Sequence, residues 1–191
     1  MLQNVLNHIQ THLLDTSTAV DAWFDKPARL RAYRPAAGAW TIDEILEHIE
    51  LTSHFLLKLI DKGGSKALRR ATEIDWAATL EDYPFEIEKF TSIGQHRSFD
   101  WVRPEHMEPQ GLRPLAEIRV SLQQQQGRCL VWLERLKNGE GALVRTTMSV
   151  QNLGKLDVYE YIYFLSLHAQ RHIAQMEHNE QMFETSAQAG G

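Results

Sequence analysis

The chain has one cysteine, Cys129, among its 191 residues, so an intrachain disulfide is excluded and nothing in the composition asks for an oxidising compartment. A block of Lys or Arg is missing as well. The 20 basic residues stand against 25 acidic ones for a formal net charge of -5, without the basic stripe that phosphate neutralisation needs, so nucleic acid is not the expected partner. No segment holds about 18 uninterrupted apolar residues, and the start MLQNVLNHIQTHLLD lacks a basic lead followed by an apolar run. The expectation is a soluble, cytoplasmic protein with no membrane span and no secretion signal. Convincing alternation of apolar and polar residues is also absent, which leaves a large sheet without a basis in the sequence.

What is present is the balance of a globular protein, 43% hydrophobic and 24% charged. This length fits one core, and the reading is a single helical domain over residues 1–185 with a small, polar, flexible tail over 186–191. Residues 2–24 carry Leu2, Val5, Leu6, Ile9, Leu13, Val20 and Phe24 at helical spacing. Pro27, Pro35 and Gly38 then break the pattern. Thr41-Ile42-Asp43-Glu44 is a capping box opening a second helix over 41–62, with Ile45, Ile49, Leu56, Leu59 and Ile60 on one face and a stop near Gly63-Gly64.

Residues 65–111 have no sustained period but contain Trp76, Tyr83, Phe85, Phe90, Phe99 and Trp101, too much apolar surface for a disordered linker. An ordered crossover is expected there, with a short helix or a small strand pair. A third helix follows over 114–137 from Leu115, Ile118, Leu122, Cys129, Leu133 and Leu136. After a loop, Asp157-Val158-Tyr159-Glu160 reads as a second capping box for a fourth helix over 157–183. Four amphipathic stripes predict an all-α four-helix bundle, and the long second crossover argues against a simple up-down path.

Of the nine histidines, helical geometry selects three that face inward. At about 100° per residue His48 lies roughly 60° from the centre of the second helix's apolar face, whereas His54 falls on the opposite side. His168 and His172 lie about 40° apart in direction and about 6 Å along the axis, on the face that also holds Tyr161, Leu165 and Met176. His178 turns away, His8 and His12 fall at the rim of the first helix, and His96 and His106 read as surface residues of the crossover. Two neutral imidazoles spaced this way can converge on one ion at about 2.0–2.1 Å, and His48 from a facing helix completes a three-nitrogen set with an open position. Such a set suits zinc, nickel, copper or iron. The run His168-Ala-Gln-Arg-His172 is not a zincin motif, because Ala169 stands where a protease carries its general-base Glu.

The segments AWTIDEILEHIEL and LGKLDVYEYIYFLSLHAQRHIAQ resemble the DinB/YfiT-like superfamily in order and spacing, and the likeness extends over almost the whole chain. The resemblance implies that His48, His168 and His172 are the metal triad of a four-helix bundle with long crossovers, frequently a homodimer. Trp40 and Gly154 fall where that family keeps an aromatic residue and a turn glycine, and each has a structural reading, as a staple on the second helix and as a positive-φ turn. Some relatives transfer or rearrange molecules attached to low-molecular-weight thiols, and others resemble hydrolases. The expected function is therefore a divalent-metal-dependent enzyme acting on a small molecule, with thiol transfer ahead of hydrolysis and a non-catalytic metal-binding bundle as the alternative. Gln175, Tyr161 and Thr52 are expected to support the site or satisfy the core, and no catalytic residue beyond the ligands is assigned.

Overall fold

Helix α1, Leu2–Trp23, buries Leu6, Ile9, Leu13, Val20 and Trp23, which is the stripe set by its apolar spacing. This computed structural model describes residues 2–73, 83–100 and 104–189. A single turn, α2 (Ala28–Arg31), precedes α3 (Ile42–Ala71), and α4 (Leu115–Arg135) and α5 (Val158–Ala189) complete the helical set. The capping box at Thr41 forms as its sequence requires: the Thr41 hydroxyl accepts from Glu44 N at 3.2 Å, and Thr41 N donates to the Glu44 carboxylate at 2.7 Å. Asp157 and Glu160 make the same reciprocal pair at the start of α5, at 3.0 and 2.9 Å.

The architecture is the expected all-α bundle. Helix α5 packs chiefly against α1 and α3, and α4 against α3 and α1, so the consecutive long helices α1 and α3 lie on a diagonal, as do α4 and α5. A simple up-down bundle would place consecutive helices side by side, and the long crossovers make the diagonal arrangement reachable. The core has two parts. One gathers Leu56, Leu57 and Ile60 of α3, Trp132 and Leu133 of α4 and Tyr159 to Leu167 of α5. The other gathers Val20, Trp23 and Phe24 of α1 with Ile42, Ile45, Leu46 and Ile49 of α3 and Met176 of α5.

Two helix boundaries and the place of the strand pair differ from the sequence reading. Helix α3 does not stop at Gly63-Gly64 but runs to Ala71, because both glycines serve packing: a Cβ on Gly64 would lie 2.5 Å from the Trp132 ring, and one on Gly63 3.2 Å from Val158. Helix α5 continues beyond Phe183 to Ala189. The only strands among the described residues lie in the loop before α5, where β1 (Thr146–Met148) pairs antiparallel with β2 (Gly154–Leu156) through a turn ending at Gly154, φ +73°. The crossover instead contributes 3-10 turns at Ile87–Phe90 and Glu105–Met107, with Tyr83, Phe85 and Phe90 packed on the aromatic face of α5. Trp76 and Trp101 lie outside the described residues.

Gly64→Ala tests the packing role directly. Alanine gains about 1 kcal/mol in helix propensity, whereas forcing a methyl into a filled core costs about 1–3 kcal/mol. Trp132 cannot easily yield, since its indole N–H donates to Asp61 at 2.7 Å. The expected result is a net loss of up to about 2 kcal/mol in urea unfolding, from the difference of those two effects. A stabilised variant would show that the glycines are not needed for the α3–α4 approach.

Candidate metal centre

His48 sits in the second turn of α3 and His168 and His172 one turn apart on α5, and the packing of α5 on α3 brings the three rings together. Ring centroids lie 5.1 Å apart for His48 and His168, 4.8 Å for His48 and His172, and 4.5 Å for His168 and His172. One ring nitrogen from each falls within 4.8 Å of the others, and the His168 and His172 Nε2 atoms are 3.2 Å apart. Two nitrogens bound tetrahedrally at 2.0–2.1 Å would stand about 3.3 Å apart, so that pair is already at coordination spacing.

The far side of two rings is fixed by hydrogen bonds that leave the inner nitrogen as the lone-pair atom. His48 Nδ1 lies 2.7 Å from the Met107 carbonyl oxygen, which can only accept, so the proton is on Nδ1 and Nε2 is available. His172 Nδ1 donates in the same way to the Gln175 side-chain oxygen at 2.8 Å. All three residues are buried, with 3%, 2% and 7% of their surface exposed. Burial, then the neighbouring imidazoles, hold the pKa of His168 and His172 well below the ordinary 6.5, so both are neutral and competent as ligands at neutral pH. The donor set therefore fits a divalent ion by number, spacing and protonation.

Buried acids on the same helix turn hold the crossover in place. Glu47 and Glu50 flank His48 and are each 3% exposed, so their charges need partners. Glu47 accepts from Gln110 N at 3.1 Å and Gly111 N at 2.7 Å, and Glu50 pairs with Arg113 and accepts from Ser121 and Gln125. On the other side Arg171 donates to the carbonyl oxygens of Gln95 and Phe99 and to the Ser98 hydroxyl. The crossover is thus strapped to α3 by residues 107–113 and to α5 by residues 95–99. Beside the 95–99 strap lies a cavity of about 510 Å³ reaching the three imidazoles, within the range of small-molecule sites.

The face assignments for His8, His12, His54 and His106 hold: His8, His54 and His106 are exposed, and His12 is half-buried against Ser166 and Gln170. His96 corrects the sequence reading. It is not a surface residue but lines the cavity, its Nε2 buried with no hydrogen-bond partner among the described residues. The Trp40 ring lies 4.7 Å from the His48 ring at a tilt of 44° and so closes one side of the site. Gln175 takes the supporting role expected of it. Tyr161 points to the Thr147 carbonyl at 3.2 Å, and the Thr52 hydroxyl is buried without a hydrogen-bond partner among the described residues. Glu47, Glu50 and Arg171 carried no sequence signal, because a charged residue on a helix reads as solvated unless its partner is known.

A sequence model describing the DinB superfamily matches residues 8–176, a span that includes all three histidines. No curated protein and no solved structure matches the chain.

Proposed function

The chain belongs to the DinB superfamily, and on that premise we propose that His48, His168 and His172 hold one divalent metal ion and that the cavity above them serves transfer chemistry on a small molecule with a low-molecular-weight thiol. The observation that carries this reading is the convergence of three buried imidazoles at the floor of an open cavity. Three neutral ligands leave the ion's charge intact, so when bound it supplies a Lewis acid that lowers the pKa of a coordinated thiol or water. The protein's own residues hold the geometry. Met107 and Gln175 fix the rings of His48 and His172, Trp40 covers the His48 ring, and the straps keep the cavity wall in place.

In this reading the thiol is external to the protein. Cys129, the one cysteine, is buried in the core and its thiol is pushed up to about 12 by desolvation, so it is no nucleophile and the sulfur must come from a ligand. Hydrolysis is the second reading, since it asks for a general acid for the leaving group and the described lining offers His96 and the exposed Asp100. The test is elemental analysis of protein purified without a His tag, followed by cobalt(II) loading and titration with small thiols. A sulfur-to-cobalt charge-transfer band and turnover of an electrophilic acceptor are expected. Ester turnover with no thiol band would establish the hydrolase instead, and a fourth protein ligand with neither activity would make the centre structural.

A further inference from the structure

The wall facing the imidazoles is built from one tight turn of the crossover, residues 95–100, which contributes His96, Arg97, Phe99 and Asp100 to the cavity. Arg97 has φ +60°, a left-handed conformation that costs a non-glycine residue free energy and persists only where its surroundings enforce it. They do so here. The Ser98 hydroxyl shares its one proton between the carbonyl oxygens of Ser92 at 2.6 Å and Gln95 at 2.9 Å, and Arg171 grips Gln95, Ser98 and Phe99 from α5. The turn is held in this shape, and its shape sets Arg97 and His96 side by side at the cavity wall.

Neither residue has its hydrogen-bonding capacity used by a side chain among the described residues. No carboxylate among the described residues pairs with Arg97, although Asp100 lies three residues away on the same wall. His96 Nε2 is buried without a hydrogen-bond partner among the described residues, which costs free energy unless a ligand or water satisfies it. The floor contributes no negative charge either, since it is made of three imidazoles, which are neutral or cationic. In a chain of net charge -5 this cavity therefore sets two guanidiniums, Arg97 and Arg171, against the one carboxylate of Asp100 among its described lining residues, and a divalent ion held by the histidines would add to that positive surplus.

We infer that the molecule bound here carries a carboxylate, received by Arg97 and His96 of the 95–100 turn while its reacting end lies over His48, His168 and His172. A guanidinium offers paired donors matched to the two carboxylate oxygens, and the imidazole N–H supplies one more from the side. This inference rests on the metal-centre reading for the position of the reacting end, but the anion site consists of this chain's own residues and is testable without turnover.

The experiment is calorimetric titration of the cobalt-loaded and the metal-free protein with 3-mercaptopropionate, its neutral amide and succinate, with the visible spectrum recorded in parallel. Wild type is expected to prefer the carboxylate thiol to the amide by about tenfold, as a charge-assisted pair at a partly exposed site warrants, and to lose part of that preference at high salt. Arg97→Gln should erase the preference while leaving amide affinity unchanged, Arg97→Lys should restore part of it, and His96→Gln should cost about threefold. Equal binding of acid and amide by wild type, or a preference unchanged in Arg97→Gln, overturns the inference even if the thiol band is present. Absence of the band with the preference intact overturns the thiol reading and leaves the carboxylate site standing. If cobalt is not retained, the metal-free comparison of wild type and Arg97→Gln decides in the same way.

Discussion

Replacing His172 by alanine is expected to abolish metal retention while leaving the helices folded. The variant keeps two imidazoles, and loss of a direct ligand should weaken binding by more than the 10- to 100-fold that removal of a supporting partner costs. Gln175→Ala, which takes the acceptor from His172 Nδ1, should fall inside that smaller range. The fold tolerates the change because a buried ring lost to a cavity costs about 2–4 kcal/mol, partly offset by the better helix propensity of alanine, against a typical total of about 5–15 kcal/mol. Elemental analysis and a metal titration, with near-ultraviolet circular dichroism as the check on packing, read both quantities. Stoichiometric metal in His172→Ala would remove this residue from the ligand set.

Acid is expected to destabilise the metal-free protein steeply below pH 6.5. His168 and His172 have folded pKa values well below 6.5 because burial disfavours the imidazolium, so on the way down from that pH the unfolded chain binds protons that the folded one refuses. Stability is then lost as pH falls, by up to about 1.4 kcal/mol per pH unit for each ring. Asp157 works in the opposite direction. Burial first and Glu160 second raise its carboxyl to about 6, so between that value and the ordinary 3.8 the folded state holds a proton the unfolded one lacks, and acid stabilises through this group. Two rings outweigh one carboxyl, and the balance is a net loss of about 1–2 kcal/mol per pH unit between pH 6 and 4. Urea unfolding in the presence of a chelator from pH 7.5 to 4.5 measures it. Asp157→Asn should steepen the loss and His172→Ala should shallow it, and stability that holds level or rises down to pH 5 would contradict neutral, buried rings.

What the sequence made legible was what repeats or acts locally. Helical spacing identified the four long helices and the inward directions of His48, His168 and His172, and both capping boxes formed because their partners lie three residues apart. Features that depend on a distant partner were hidden. Gly63-Gly64 reads as a stop until Trp132 and Val158 are known to press on it. Glu47, Glu50 and Arg171 read as solvated until the crossover is seen to fold over them. His96 lies in a segment without a period, so no face could be assigned to it, and its place at the cavity follows from a turn shaped by contacts with α5.

Several of the bonds that strap the crossover run from helix side chains to main-chain atoms. His48 and Glu47 reach Met107 O, Gln110 N and Gly111 N, and Arg171 reaches Gln95 O and Phe99 O. Every residue type offers a carbonyl and all but proline an amide, so these anchors survive most substitutions in the segment they hold. The histidines are thereby insulated from drift in the wall opposite them. Descendants of this chain can exchange residues such as His96, Arg97 and Phe99 one at a time and acquire new ligands without first dismantling the centre, so the helices carry the inheritance and the crossover the variation.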